Sequence, residues 1–452
     1  AVAPIAFSRD GRKLLIGQSI SVAESRRFVL DVASGQLDEI APELDVAFGG
    51  GAFTADGRAV ILTSDEGSDF QRLVRVDLAT GFRTPMGVSV PWDVEGFELA
   101  DDGRTLAYDT NEDGLSVLRL LDLRTGRDLP GPRLPQGVLG GYGFDPQSRH
   151  LGLTLTTATT PGDVYSFDLR RRTLTRWTES EVGGLNPATF VAPTLISWPS
   201  FDGRRISGLL YAPTTPGPHP VVVDIHGGPE AQSRPVFNSR IQYWVNELGL
   251  AVILPNVRGS TGYGKAFVAL DNAERREDAV KDIGALLDWI AASERLDEDR
   301  VVVYGGSYGG YMVLTSMVHY NDRLAGAVNI VGISNFVTFL ENTSGYRRDL
   351  RRVEYGDERD PAMREILQRI SPLTNISRVT KPMFVIHGAN DPRVPVSEAV
   401  QVTEAIRRKG GEVWSMIARD EGNGFSRRGN QEAQREAETL FLQRVLGLQP
   451  AS

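Results

Sequence analysis

A period of 45–46 residues is the feature that most limits how the first part of this chain can fold. The segments FSRDGR at Phe7, FTADGR at Phe53, LADDGR at Leu99 and the degraded FDPQSR at Phe144 are spaced by 46, 46 and 45 residues. A second mark keeps step with the first: LDVASG with Asp31, VDLATG with Asp77, LDLRTG with Asp122 and FDLRRR with Asp168, spaced by 46, 45 and 46. In each unit an Asp-Gly-Arg turn precedes a short apolar or alternating run, and a second strand follows that enters an Asp-x-x-Ser/Thr-Gly turn. Units of about 45 residues with several strands bury their faces by stacking on neighbours around an axis, as β-propeller blades do. Residues 1–185 therefore predict four blades, with an ordinary antiparallel sandwich as the alternative. Four blades are few for a closed ring, and the first residues fall inside a repeat without an initiator methionine. An open arc or a missing N-terminal fragment is the expectation. Unpaired blade edges would then pair with that fragment or with another subunit, as in a homo-oligomer.

The 452 residues, 41% apolar and 24% charged, supply material for two buried cores. A formal charge of −9 argues against a nucleic-acid partner, because phosphate binding needs a basic field. No apolar run approaches the roughly 20 residues that span a bilayer, so no membrane partner is expected. The chain has no cysteine, which excludes a disulfide framework, a thiol nucleophile and a zinc–thiolate site. Compartment is left open, with the cytoplasm favoured.

Beyond about residue 190 the texture changes. SWPSFDGRRISGLLYAP opens a region, 190–452, in which apolar strands alternate with helical patterns: VVVDI (221–225), LAVIL (250–254), VVVY (301–304), AVNIV (327–331), MFVI (383–386) and VWSMI (413–417). Between the second and third, Val280, Ile283, Leu286, Leu287 and Ile290 recur on one helical face. This alternation predicts a mainly parallel sheet covered by helices, a second domain of α/β class.

Directly after VVVY comes Gly305-Gly306-Ser307-Tyr308-Gly309-Gly310-Tyr311-Met312. A Gly-x-Ser-x-Gly turn between strand and helix is a nucleophile elbow, which exposes the Ser307 hydroxyl above the sheet. A serine needs a base, an orienting carboxylate and an oxyanion hole, and the acid and base of α/β-hydrolases follow the serine in that order. The strand MFVI runs into His387-Gly388-Ala389-Asn390-Asp391-Pro392-Arg393-Val394-Pro395, which places Asp391 on the loop where the acid belongs. The loop His226-Gly227-Gly228-Pro229 offers bare glycine backbone for an oxyanion hole with the N–H of Tyr308. No His-Glu-x-x-His or similar ligand spacing occurs, so neither metal nor cofactor is expected, and Asp10, Asp56 and Asp102 fit tight turns.

Taken together, HGGP, PNVRGSTGYG (Pro255 to Gly264), GGSYGGYM, ISPLTN (Ile370 to Asn375) and HGANDPRVP resemble the prolyl oligopeptidase family, especially its acylaminoacyl-peptidase-like branch. The resemblance implies an N-terminal β-propeller joined to a C-terminal α/β-hydrolase domain. It assigns the nucleophile to Ser307, the acid to Asp391 and oxyanion donors to the backbones of Gly228 and Tyr308. It also implies short peptides or acylaminoacyl and aminoacyl molecules as substrates, with simple ester hydrolysis as a competing activity. In the run Tyr346-Arg347-Arg348-Asp349-Leu350-Arg351-Arg352, Arg347 and Arg348 are candidates to bind a substrate carboxylate, since a guanidinium fork matches it in shape.

One position departs. The family's loop reads Asp-Glu-Gly-His-Gly-Phe, and this chain reads Asp420-Glu421-Gly422-Asn423-Gly424-Phe425. Asparagine cannot accept the serine proton at neutral pH, so near-inactivity is expected. The five histidines are His150, His219, His226, His319 and His387, and none lies downstream of Asp391. Two origins fit the sequence equally: a working hydrolase altered at one residue, or a natural pseudoenzyme that binds peptides or a partner protein.

Overall fold

A computed structural model describes residues 2–448. The chain divides into two compact units, residues 1–187 with 234–237 and 261–267, and residues 188–233, 238–260 and 268–452. The two short segments, which the sequence reading places in the second domain, thus cluster with the first unit.

The first unit holds four antiparallel four-stranded sheets, each formed by strands consecutive in sequence. They are β1–β4 (Val2–Phe7, Lys13–Ser19, Ser25–Asp31, Leu37–Ile40), β5–β8 (Ala52–Phe53, Ala59–Ser64, Arg72–Asp77, Arg83–Pro85), β9–β12 (Val94–Leu99, Thr105–Glu112, Leu115–Asp122, Arg127–Leu129) and β13–β16 (Val138–Phe144, His150–Thr156, Asp163–Asp168, Thr173–Arg176). These are the four blades of the sequence repeat. Both repeat marks are turns held by an aspartate. Asp10, Asp56 and Asp102 each accept the backbone N–H two residues on, at 3.1, 3.1 and 2.8 Å, around Gly11, Gly57 and Gly103 at φ +68°, +65° and +67°. Asp31, Asp77 and Asp122 accept the N–H three residues on, before glycines at φ +75°, +71° and +67°. The fourth blade keeps both backbone shapes without glycine: Ser148 and Arg172 sit at φ +53° and +57°, a left-handed conformation that costs a residue with a Cβ roughly 1–2 kcal/mol. The degraded motif thus still makes the same turn. Apolar clusters fill the gaps between consecutive blades, for example Leu15, Val29 and Phe53 with Val60 and Leu62.

The second unit is built on one eight-stranded sheet, order β17-β18-β20-β19-β21-β22-β23-β24. Its strands are β17 (Thr194–Pro199), β18 (Arg205–Tyr211), β19 (His219–Ile225), β20 (Ala251–Asn256), β21 (Leu296–Gly306), β22 (Gly326–Ile330), β23 (Met383–Gly388) and β24 (Val413–Ala418). The first two form an antiparallel hairpin, and β19 onward is parallel throughout. Helices α1 (Ser239–Asn246), α3 (Arg276–Ala291), α4 (Tyr308–Tyr320), α5 (Phe336–Asn342), α6 (Gly345–Tyr355), α7 (Pro361–Ile370), α8 (Ser397–Arg408) and α9 (Arg428–Leu446) occur between or after the strands, while the single turn α2 (Lys265–Val268) begins in the segment that clusters with the first unit. The predicted face of α3 is the buried one: Val280, Ile283, Leu286, Leu287 and Ile290 are 0–2% exposed. Among the described residues no helix is long and apolar enough to cross a membrane.

Candidate active site

The elbow is set by glycine where no side chain fits. A Cβ at Gly309 would lie 2.1 Å from the Ile225 carbonyl oxygen, one at Gly305 2.6 Å from that of Gly309, and one at Gly310 2.5 Å from Gly332 Cα. The close approach of α4 to β19 and β21 leaves Ser307 at φ +56°, ψ −117°, between the last strand residue and the first helical one. Its N–H donates to the Ile330 carbonyl at 2.9 Å, which ties the strained residue to β22. Among the described residues its hydroxyl has no hydrogen-bond partner.

The HGGP loop lies against the nucleophile: a Cβ on Gly227 would sit 3.5 Å from Ser307 Cβ. Gly228, at φ +133°, is fixed from behind, where Arg351 Nη1 donates to its carbonyl at 3.3 Å and the Tyr355 hydroxyl at 3.4 Å. Tyr308 N–H belongs to the first turn of α4, whose amides have no intrahelical acceptor. The Tyr308 N–H and the Gly227–Gly228 backbone thus lie beside Ser307.

Tyr308 is anchored by a buried ionic network that no motif announced. Its hydroxyl donates to Asp271 Oδ2 at 2.9 Å. Arg276 bonds both Asp271 and Glu354, and its guanidinium lies 5.2 and 5.0 Å from the Tyr308 and Tyr355 ring centroids. Burial dominates the electrostatics: it raises the Asp271 carboxyl to about 6 against the pull of Arg276, and raises Glu354 in the same direction.

Asp391 lies on the loop after β23, with its Oδ1 held by the N–H groups of Arg393 (2.8 Å) and Val394 (3.0 Å). Its Oδ2 accepts from Asn423 Nδ2 at 2.7 Å. Asn423 follows β24 in a loop pinned by Glu421, which receives the N–H of Ser426, the side chain of Asn430 and the N–H of Arg427 and is drawn down to about 2 by these bonds. The Asn423 amide thus donates to Asp391, and it carries no nitrogen that is basic at neutral pH.

Of the five histidines, His387 has its Nε2 3.6 Å from Asp391 Oδ2. His387 is fully buried, its Nε2 donates to the Val394 carbonyl at 2.9 Å, and desolvation lowers its pKa. His226 bonds the Gly227 carbonyl and the Ser260 hydroxyl, His219 the Thr215 carbonyl, His319 Glu277, and His150 the blade residue Asp145. Of the two candidate arginines, Arg348 spends its guanidinium on the Glu341 and Thr343 carbonyls at the end of α5, at 2.9 and 3.1 Å. Arg347 precedes Arg351 by one turn of α6.

Residues 235–449 match the sequence profile of the prolyl oligopeptidase family. The second half of this chain is thus similar to that family. Among curated proteins, dipeptidyl aminopeptidase BIII of Pseudoxanthomonas mexicana is 29% identical over 91% of this chain and 61% of its own length. Dipeptidyl peptidase family member 6 of Caenorhabditis elegans is 35% identical over 57% of this chain and 35% of its own. The chain therefore spans less than two thirds of these relatives. A puromycin-hydrolyzing peptidase of Mycobacterium tuberculosis superposes with a TM-score of 0.90 at 22% identity, over 99% of this chain and 70% of that one. This likeness shows the fold, a β-propeller with an α/β-hydrolase domain.

Proposed function

We propose that the chain is a serine peptidase scaffold for short peptides or acylaminoacyl and aminoacyl substrates, nearly inactive as it stands because Asn423 replaces the general base. In a working site the serine oxygen attacks the scissile carbonyl, its proton passes to imidazole, and the same proton leaves with the amine as the acyl-enzyme forms. On this reading Ser307 is the nucleophile, the backbones of Gly228 and Tyr308 are the oxyanion donors and Asp391 is the acid. The observation that supports the reading is the 2.7 Å bond to Asp391 from Asn423, a side chain that is not basic where the family's loop has histidine. Losing a triad base lowers turnover by about four to six orders of magnitude, roughly 5–8 kcal/mol of transition-state stabilisation. Peptide binding does not depend on that proton transfer, so a substrate still binds.

The same bond also favours a second reading, a pseudoenzyme that retains peptides or a partner without turnover. The two separate in one assay: hydrolysis of a p-nitrophenyl ester and of aminoacyl and acylaminoacyl anilides by the chain and its Asn423→His variant, with Ser307→Ala as blank. The peptidase reading expects a gain of at least a thousandfold that Ser307→Ala abolishes. Rates for Asn423→His that stay at the blank would refute it and leave the binding reading.

A further inference from the structure

Asn423 is the chain's one asparagine followed by glycine. The pair matters chemically, because the backbone nitrogen after an asparagine can close a five-membered ring on the side-chain carbon, and a Cβ on that next residue hinders the approach. The loop leaves the approach open. Gly422 and Gly424 pair with each other as an isolated antiparallel bridge, so the chain reverses at Asn423. Gly424 stands at φ +97°, and a Cβ built on it meets no atom within 4 Å. Residues 422–424 are all partly exposed, so water reaches them.

The carboxamide is held at one atom only. Asn423 Nδ2 donates to Asp391 Oδ2 at 2.7 Å, and among the described residues its Oδ1, where negative charge gathers during an attack on Cγ, accepts no hydrogen bond. Other asparagines are tied at the oxygen. Asn238, followed by the small Ser239, spends its Oδ1 on the N–H groups of Arg240 and Ile241, and Asn335 spends its own on those of Val337 and Thr338.

We propose that Asn423 is a site of spontaneous covalent modification, at which ring closure with Gly424 converts it to aspartate or isoaspartate. The bond from Gly424 N to Asn423 Cγ forms and the Cγ–Nδ2 bond breaks. Nδ2 departs as ammonia, which takes up the proton that the Gly424 N–H gives up. Water then opens the succinimide at either of its carbonyls. It is the only co-reactant, and nothing is oxidised or reduced. The product turns a carboxylate toward Asp391 where Asn423 had donated, so the 2.7 Å bond persists only if the two acids share a proton.

The test holds the folded chain at pH 8 and body temperature in water enriched in heavy oxygen, with peptide mapping by mass spectrometry over several days. The expected result is that the peptide carrying Asn423 changes from amide to acid, with one solvent oxygen, at least tenfold faster than any other asparagine of the chain. The product is a mixture of isoaspartate and aspartate. Gly424→Ala slows the reaction at least fivefold. Asn423→Gln, which keeps the amide but must close a larger ring, abolishes it, and it decides the matter should Gly424→Ala fail to fold by circular dichroism. An Asn423 that keeps its amide as long as the other asparagines overturns the proposal. So does a product that is aspartate alone, because direct hydrolysis without the ring gives no isoaspartate. Neither readout needs turnover, so the peptidase reading stands or falls separately.

Discussion

Arg276 is the residue on which the buried anchoring of Tyr308 rests, and replacing it with methionine isolates that role. The side chain is fully buried, as is Asp271, and Glu354 is 5% exposed. Arg276→Met would leave two carboxyl groups without a cation in a region that already raises their pKa by desolvation. Breaking a buried ion pair from one side costs about 3–5 kcal/mol. For a domain of this size each kcal/mol lowers Tm by about 2–4 °C, so a drop of roughly 6–20 °C is expected at pH 8. The pH dependence is more telling. A carboxyl whose folded pKa is raised contributes stability that is complete below its unfolded pKa, near 4, and lost as pH rises through the folded value, about 6 for Asp271. Without the arginine both folded values rise further, so the deficit of Arg276→Met against the parent should shrink when melting is repeated at pH 5. A loss below about 1 kcal/mol at pH 8, or a deficit that stays constant or grows on acidification, would refute the buried-charge argument. Converting Asp271 and Glu354 to leucine in the same variant should restore much of the stability, because no unpaired charge remains.

Other expectations follow from the same physics. Ser307→Gly should melt higher than Ser307→Ala by about 1–3 kcal/mol, since glycine relieves the backbone conformation that alanine retains. In the blade unit, burial raises the Asp109 carboxyl to about 6 while the Tyr142 hydroxyl donates to it at 2.8 Å. Asp109→Asn keeps an acceptor for that hydroxyl and removes the charge. It should therefore raise stability at pH 8 by roughly 1–3 kcal/mol and change it little at pH 4, as read by urea unfolding at both pH values.

Much of this structure could be read from the chain because its devices are local. The aspartate turns recur at fixed offsets within six residues, and the elbow glycines are contiguous, so strand order in the blades and the position of Ser307 followed directly. Asp391 and the departure at Asn423 came from strand-then-loop order and from the resemblance. The Arg276 network did not, since its members Asp271, Arg276, Tyr308 and Glu354 lie up to 83 residues apart, on different elements, and share no pattern until the sheet folds. The arginine run was visible, but not the way the fold divides it: Arg351 reaches the Gly228 carbonyl, while Arg348 turns to the end of α5. Likewise nothing in residues 234–237 and 261–267 foretold that they cluster with the blades. Arg234 is fixed there by Glu95 at 2.7 Å and by the Gly114 carbonyl at 2.8 Å, partners more than 100 residues earlier.

The contrast in strand order between the two units also bears on how fast each can form. Every blade pairs strands that are neighbours in sequence, so its hydrogen bonds close loops of a few residues, whereas β18 pairs with β20 across β19 and α1, and β19 pairs with β21 about 80 residues on, Val221 opposite Val301. Local pairing is kinetically cheap, and pairing at long separation waits on slow loop closure. Backbone amides of the blades should therefore gain protection from hydrogen exchange before those of β18–β21 during refolding. On the ribosome, the blade strands would be able to pair while the serine elbow was still being synthesised.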